Sequence, residues 1–385
     1  MGALDGVRVL DFSRYGPGRH CTMFLADFGA EVITIEMPRN NADLPAVFTD
    51  DLSSRYLALN RNKKSMALNL RVPEGKEVIY QLVKKADVVV EGFRPGTMKK
   101  LGLDYETLRK LNPRLIYCSL SGYGQDGPYS LRPGHDVNYL GLSGILDSTR
   151  GKDGNPVLIG TQIADLGGGA SQAITGILLA LLVQERTGKG QYVDVSMFDG
   201  VIAWHWTTGT EYLIKGKLPR RFFGESPAYN IYQSKDGKHL TLGIMEPWFW
   251  ERFCRAIERE DLIPYMEPSE KSAAVIAELE HLFSTRTRDE WMKLLSEIDV
   301  PYGPVNTIEE AFSDPQTLHR RMVLEVEHPR AGKIKLLGIP IKFSETPGEI
   351  RALSPAYGEH TLDILGELGY TDDDFKRLRK AKAIE

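Results

Sequence analysis

Histidine, aspartate and glutamate are the side chains that most readily move protons near neutral pH once their surroundings tune them. Three of them stand out by context. His135 lies in Gly134-His-Asp-Val-Asn-Tyr139, directly after an Arg-Pro-Gly turn. A histidine there can face a cleft and titrate; a loop histidine that merely packs or hydrogen-bonds is the plainer reading. Asp165 lies in Ala164-Asp-Leu-Gly-Gly-Gly169, at the head of an apolar helix. At or near an N-cap its carboxylate can accept backbone hydrogen bonds. Yet consecutive glycines start a helix poorly and let a ligand approach the backbone. The N–H groups at Gly167 and Gly168, on the positive helix end, would suit a developing oxyanion. Cap and active site both remain open. Glu246 precedes Pro247 at the end of a predicted strand. It can simply open a helix; placed beside Asp165 it would raise the pKa of the pair and make one a usable acid.

A second group is cationic: Arg39, Arg61, Lys63, Lys64, Arg94, Lys99 and Lys100 fall near predicted strand ends. Singly these read as solvated surface charges; together they could hold a polyphosphate. Other motifs fail. Gly122-Tyr-Gly-Gln-Asp-Gly127 has GxGxxG spacing after a predicted strand, but Pro128 and the Arg132-Pro-Gly134 turn follow it. A dinucleotide fingerprint needs a helix N-terminus at that point. There is no Walker A loop, no HExxH and no GxSxG elbow.

These residues need a scaffold. Val7–Phe12, Glu31–Glu36, Met66–Leu70, Asp87–Val90 and Leu115–Leu120 read as strands. Helical spacing at His20–Phe28, Glu74–Ala86 and beyond Asp104 separates them. That alternation predicts an α/β fold with a doubly wound, Rossmann-like large domain. An apolar helix follows from Ala170 to Arg186, then an apolar segment to about Tyr212 and a basic, Gly/Pro-marked linker over 213–221. Tyr229–Ile244 predicts a hairpin turned at Asp236-Gly237. Helices are expected near 251–258, 272–283 and 288–298, and Thr287/Glu290 and Thr307/Glu310 have capping-box spacing. Val323–Phe343 is strand-like, and the chain from about Thr361 is helical and charged. The expected organisation is a large α/β domain over 1–212, a small α+β domain over 225–322, and a return to the large domain over 323–385.

The whole chain sets outer limits. Its 385 residues carry a formal net charge of −4, which argues against nucleic-acid or anionic-membrane binding driven by bulk charge. Cys21, Cys118 and Cys254 form neither a disulfide framework nor a zinc spacing, so a reducing compartment is expected. No signal peptide is expected before Asp5, and the apolar run Ile174–Val183 is too short to span a bilayer. The expectation is a cytoplasmic protein.

Several segments together resemble one family. Leu4-Asp-Gly-Val-Arg-Val-Leu-Asp11, Asp27-Phe-Gly-Ala-Glu-Val-Ile33, Glu91-Gly-Phe-Arg-Pro-Gly96, Ser121-Gly-Tyr-Gly-Gln-Asp-Gly-Pro128 and Gly188-Lys-Gly-Gln-Tyr-Val-Asp-Val-Ser-Met197 are similar, in order, to family III CoA-transferases. The resemblance implies a Rossmann-like large domain, a small domain, and a homodimer of two interlocked open rings. It implies an acyl-CoA substrate, with coenzyme A as part of that substrate, no prosthetic group and no metal. Asp165 falls on the position of the transferase nucleophile, which passes through anhydride and aspartyl-thioester states. The Gly-His-Asp-x-Asn-Tyr motif resembles instead the α-methylacyl-CoA racemase branch. There the matching positions make His135 and Asp165 the two acid/base groups, with Glu246 supporting the aspartate and Asn138 near the site. The resemblance also places CoA contacts in the loops of Arg39 and Arg94. Thr161-Gln-Ile163 and Gly224-Glu-Ser-Pro227 depart from the racemase pattern. Inversion at the α-carbon of a 2-methylacyl-CoA and CoA transfer through Asp165 are the two activities so implied; a noncatalytic CoA-binding protein is the third reading.

Overall fold

The computed structural model describes residues 2–14, 16–39, 50–151, 153–218 and 224–385. Part of the expected linker, 219–221, lies outside them. The strands are β1 (Arg8–Asp11), β2 (Glu31–Glu36), β3 (Lys63–Ala67), β4 (Val88–Glu91), β5 (Ile116–Ser121), β6 (Tyr192–Ser196), β7 (Tyr229–Gln233), β8 (His239–Gly243), β9 (Tyr302–Pro304), β10 (Val323–His328) and β11 (Gly332–Leu337).

The chain forms two compact units. The first gathers residues 1–146, 158–204 and 319–385; the second gathers 147–157 and 205–318. Residues 147–157 and 205–212, expected with the large domain, therefore cluster with the second unit.

In the first unit β1 to β6 make one parallel sheet in the order β3-β2-β1-β4-β5-β6. This is the doubly wound order. The β-branched run Val-Ile-Thr-Ile of β2 is buried on both faces, as parallel strands are. Successive residues alternate between two cores. Val9, Val32, Val88 and Ile116 pack on one face with Ala173, Ile174, Ile177 and Ala180 of the helix Ser171–Thr187. Leu10, Ile33, Val89 and Tyr117 pack on the other with Val78, Ile79 and Leu82 of the helix Pro73–Val83. That second core also takes in Ile364, Leu365 and Leu378 from the helices Thr361–Glu367 and Asp372–Lys380.

The chain's end covers the sheet edge at β3. His360 N–H donates to Ser65 O at 2.9 Å, Ala67 N–H to Thr361 Oγ1 at 3.0 Å, and Asn69 N–H to Ala383 O at 2.8 Å. An exposed strand edge is thus closed by its own chain. The run Ala164–Thr187 is one continuous helical stretch of 24 residues, long and apolar enough by length and composition to cross a bilayer. The shorter run 174–183 was not expected to reach that length. One side of the stretch lies in the core just described.

In the second unit β7, β8 and β9 form an antiparallel sheet. Tyr232, Leu240 and Leu242 pack on Trp250, Phe253, Phe283 and Trp291. The β7–β8 hairpin turns at Asp236-Gly237, and both expected capping boxes are formed.

Candidate active site

His135 does not sit in an irregular loop. It is the N-cap of a helix, Asp136–Ser143, and is exposed. Its own N–H donates to Asn138 Oδ1 at 3.0 Å. Asp165 is not a cap either. Ile163 caps a π-helix, Ala164–Ala170, and Asp165 lies in its first turn, half-buried. π-Helical turns are rare and recur at functional sites.

The two segments meet through Asp136. The Asp165 N–H donates to Asp136 Oδ1 at 2.9 Å. Burial, then the Asp136 carboxylate, push the Asp165 carboxyl up to about 6, while His135 pulls it down. A carboxyl in that range can both take and give a proton near neutrality. Asp136, the immediate neighbour of the histidine, is thus a carboxylate beside Asp165 that the sequence did not single out. Glu246 belongs to the second unit, where it is the N-cap of the helix Pro247–Ala256 with no side-chain capping bond.

The three glycines have a structural explanation. A Cβ on Gly167 would stand 2.0 Å from Trp204 Cη2, one on Gly168 2.7 Å from Met197 O, and one on Gly169 2.6 Å from Met197 Cγ. These positions are filled by protein, so the run lets the π-helix lie against the helix Met197–Ala203. The expected approach of a ligand to Gly167 and Gly168 has no room on the side where their side chains would be.

The cations divide. Arg61 grips Asp27 with Nε–Oδ1 at 3.0 Å and Nη2–Oδ2 at 2.7 Å, both side chains buried. Lys63 is buried too, bonding Thr22 Oγ1 at 2.7 Å, Arg19 O at 2.9 Å and Asp11 Oδ2 at 3.2 Å. Burial pushes its ammonium down against the pull of Asp11. Neither is displayed for a phosphate, and a buried charge stripped of its partner is costly. Lys64 pairs with Glu31 and Glu367. Arg39 bonds Asp51 at 2.7 Å and overlies the Tyr357 ring at 4.9 Å. Arg94 is exposed just past β4, as are Lys99 and Lys100 on the helix Thr97–Leu101.

Three further arginines line a cleft. An open cleft lies beyond the carboxyl ends of β1 and β2, lined by Phe12, Arg14, Arg19, Glu36, Arg55, Phe93 and Tyr357 among others. It abuts the point where the strand order reverses, the usual ligand position in doubly wound sheets. Arg14 lies over the Phe93 ring at 5.2 Å. Arg19 bonds Glu36 at 2.9 Å; burial opposes its charge, but Glu36 and Asp11 raise its pKa on balance. Sequence reasoning missed Arg14, although it stands three residues past β1, where such a contact belongs. Gly122-Tyr-Gly-Gln-Asp-Gly127 leads into bends and turns, with no helix until Asp136, so no pyrophosphate-binding helix end follows it. Among the described residues no group of three or more His, Cys, Asp or Glu could hold a metal ion. All three cysteines are free and buried.

Comparison with known proteins fits this architecture. The sequence model of CoA-transferase family III matches residues 4–361. Succinyl-CoA:glutarate CoA-transferase of Mus musculus is 34% identical, over 100% of this chain and 91% of its own length. Alpha-methylacyl-CoA racemase of Homo sapiens is also 34% identical, over 100% of this chain and 98% of its own. A CaiB/BaiF family protein from Brucella suis superposes with a TM-score of 0.81 at 32% identity, covering 95% of this chain and 99% of that one. Relatives of both names match the sequence end to end, and the chain described above is an enzyme that belongs to CoA-transferase family III.

Proposed function

We propose that the enzyme inverts the α-carbon of a 2-methylacyl-CoA by two-base proton transfer. The observation that carries this is the junction at Asp136, which ties the turn bearing His135 to the turn bearing Asp165. A thioester acidifies its α-carbon. One of the two residues removes the α-proton, the C–H electron pair moves into an enolate, and the other residue delivers a proton to the opposite face. Asp165, pushed up to about 6, is suited to hold that proton in either direction. The CoA portion is the handle, whose remote contacts position the acyl group. We assign its phosphates to the cleft of Arg14 and Arg55, with Arg39 and Arg94 in adjoining loops. The working form is proposed to be an interlocked homodimer.

The rival is CoA transfer, favoured by the transferase names among the relatives. There the Asp165 carboxylate attacks the thioester carbonyl and CoA thiolate leaves, giving a mixed anhydride. Thiolate then attacks the aspartyl carbonyl, releasing the first acid and leaving an aspartyl thioester for the acceptor acid. His135 has no necessary part in that sequence.

Single-configuration 2-methylacyl-CoA in D₂O, with no acceptor acid, separates the two. The racemase gains α-deuterium and loses optical purity. His135→Ala and Asp165→Ala each retain slow exchange from only one enantiomer, and not the same one. Conversion of Asp165 to its hydroxamate by hydroxylamine in the presence of acyl-CoA, together with an active His135→Ala enzyme, sinks this reading in favour of transfer.

A further inference from the structure

His135 is exposed, with extended backbone angles of φ −130° and ψ 174°. The direction in which its Cα–Cβ bond leaves the chain, and hence the reach of the imidazole, is set by that backbone. That backbone is fixed in an unusual way. The peptide joining Gly134 to His135 has both polar groups claimed by side chains of the helix that follows. The Tyr139 hydroxyl donates to the Gly134 carbonyl at 2.7 Å, and the His135 N–H donates to Asn138 Oδ1 at 3.0 Å. A peptide plane held at both edges cannot rotate without breaking a hydrogen bond.

Tyr139 is itself held. It is buried, and its ring meets Tyr123 edge to face at 5.1 Å and 80°. It fits only because two neighbours have no side chain. A Cβ on Gly122 would stand 2.5 Å from the Tyr139 hydroxyl, and one on Gly134 2.7 Å from Tyr139 Cε1. Gly122 directly follows β5, an interior strand of the parallel sheet, and its carbonyl accepts the Phe198 N–H at 3.0 Å. Phe198 is in the first turn of the helix Met197–Ala203, on which the π-helix of Asp165 lies. One rigid point at the end of β5 thus braces both the histidine turn and the support of the aspartate.

We infer that Tyr139, seated on Gly122 and Tyr123, is a positioning residue that sets the orientation of His135. This also gives a role to the Gly-Tyr-Gly segment that binds no dinucleotide. The kinetic part of the inference rests on the two-base reading above; the spectroscopic part does not.

Tyr139→Phe keeps the ring in its slot and removes only the hydroxyl. Deuterium exchange is measured for each enantiomer, with His135→Ala identifying the direction that depends on His135. In Tyr139→Phe that direction slows on the order of tenfold, since small misplacements of a reacting group are costly, and the Asp165 direction slows clearly less. KM for acyl-CoA stays put. The ring resonance of His135, assigned by its loss in His135→Ala, shifts or broadens in Tyr139→Phe. Gly122→Ala, which drives a methyl against the Tyr139 hydroxyl, shifts the same resonance. Equal slowing in both directions, or a His135 resonance unmoved by Tyr139→Phe, overturns the inference. If wild-type enzyme takes up no deuterium without an acceptor, the two-base reading falls, and the resonance alone decides the role of Tyr139.

Discussion

Asp165 gives its N–H to one carboxylate while its own side chain is half withdrawn from water, so ionising it costs more than in an unfolded chain. The sign of the consequence follows. Its carboxyl rises from 3.8 to about 6, so the folded state holds the proton more tightly than the unfolded state. The contribution of this carboxyl to stability is therefore full below about 4 and is lost as pH climbs through about 6. Asp165→Asn cannot ionise and keeps the shape and the backbone bond to Asp136. Its melting temperature should exceed that of the wild type at pH 8, and the advantage should vanish toward pH 4. A variant no more stable than wild type at pH 8 would contradict the strained carboxylate. That the turns of His135 and Asp165 meet was not readable from the motifs that mark the two residues out, since the bond that joins them spans 29 residues. Arg61 and Lys63 were misread because sequence places both beside a strand end but does not reveal the acid each meets. Asp27 and Asp11 lie 34 and 52 residues away in the chain.

Elements with their own punctuation were the readable ones. The hairpin at Asp236-Gly237 and the boxes at Thr287 and Thr307 announce themselves by local chemistry, and they form as expected. The helix Asp136–Ser143 does not, because Val, Asn and Gly within it are poor helix formers and its cap is a histidine. Its first turn is held instead by Asn138, Tyr139 and Asp136, contacts that only the folded chain supplies. The π-helix was equally hidden: its glycines read as an approach path for ligand, and nothing local shows that a neighbouring helix also fills the side where their side chains would be. Gly200 shows how tight that crossing is, since a Cβ there would stand 2.0 Å from Gly168 O and 2.6 Å from Gly168 Cα. Backbone faces backbone, and no flexible side chain can yield. Gly200→Ala should destabilise the protein by about 2–3 kcal/mol in urea unfolding, an overpacking cost, and should slow α-proton exchange by displacing the Asp165 turn. Gly366→Ala is the matched control, in a helix with open space at the same point; it should be neutral or stabilising by up to about 1 kcal/mol. Equal effects of the two would remove the close crossing as the cause.

At the scale of the whole chain, alternation of strand and helix was enough to read a doubly wound fold, because each period is local. The strand order was not readable, since nothing local says that β4 returns to the far side of β1. Nor was the membership of 147–157, which leaves the first unit and joins the second across a gap of sequence. The last segment shows the cost of leaving a sheet edge bare, and its helices supply apolar residues to a core begun at Leu10. Other apolar surface is left uncovered within a single chain. On the helix Ser171–Thr187, Leu179 is 59% exposed and Leu182 48%; in the second unit, Trp206 is 75%, Leu213 83% and Ile214 76% exposed. Scattered apolar residues are normal on a surface, but clusters of large ones ask for a cover. A second copy of the chain is the cover proposed. In sedimentation the protein should run at twice the 43.2 kDa chain mass at every dilution that preserves its fold, because an interlocked pair cannot separate without unfolding. Leu213→Glu with Ile214→Glu should lower the yield of folded dimer without creating a stable, active monomer. A folded and active monomer, from either protein, would show that these surfaces need no partner and that the site is complete in one chain.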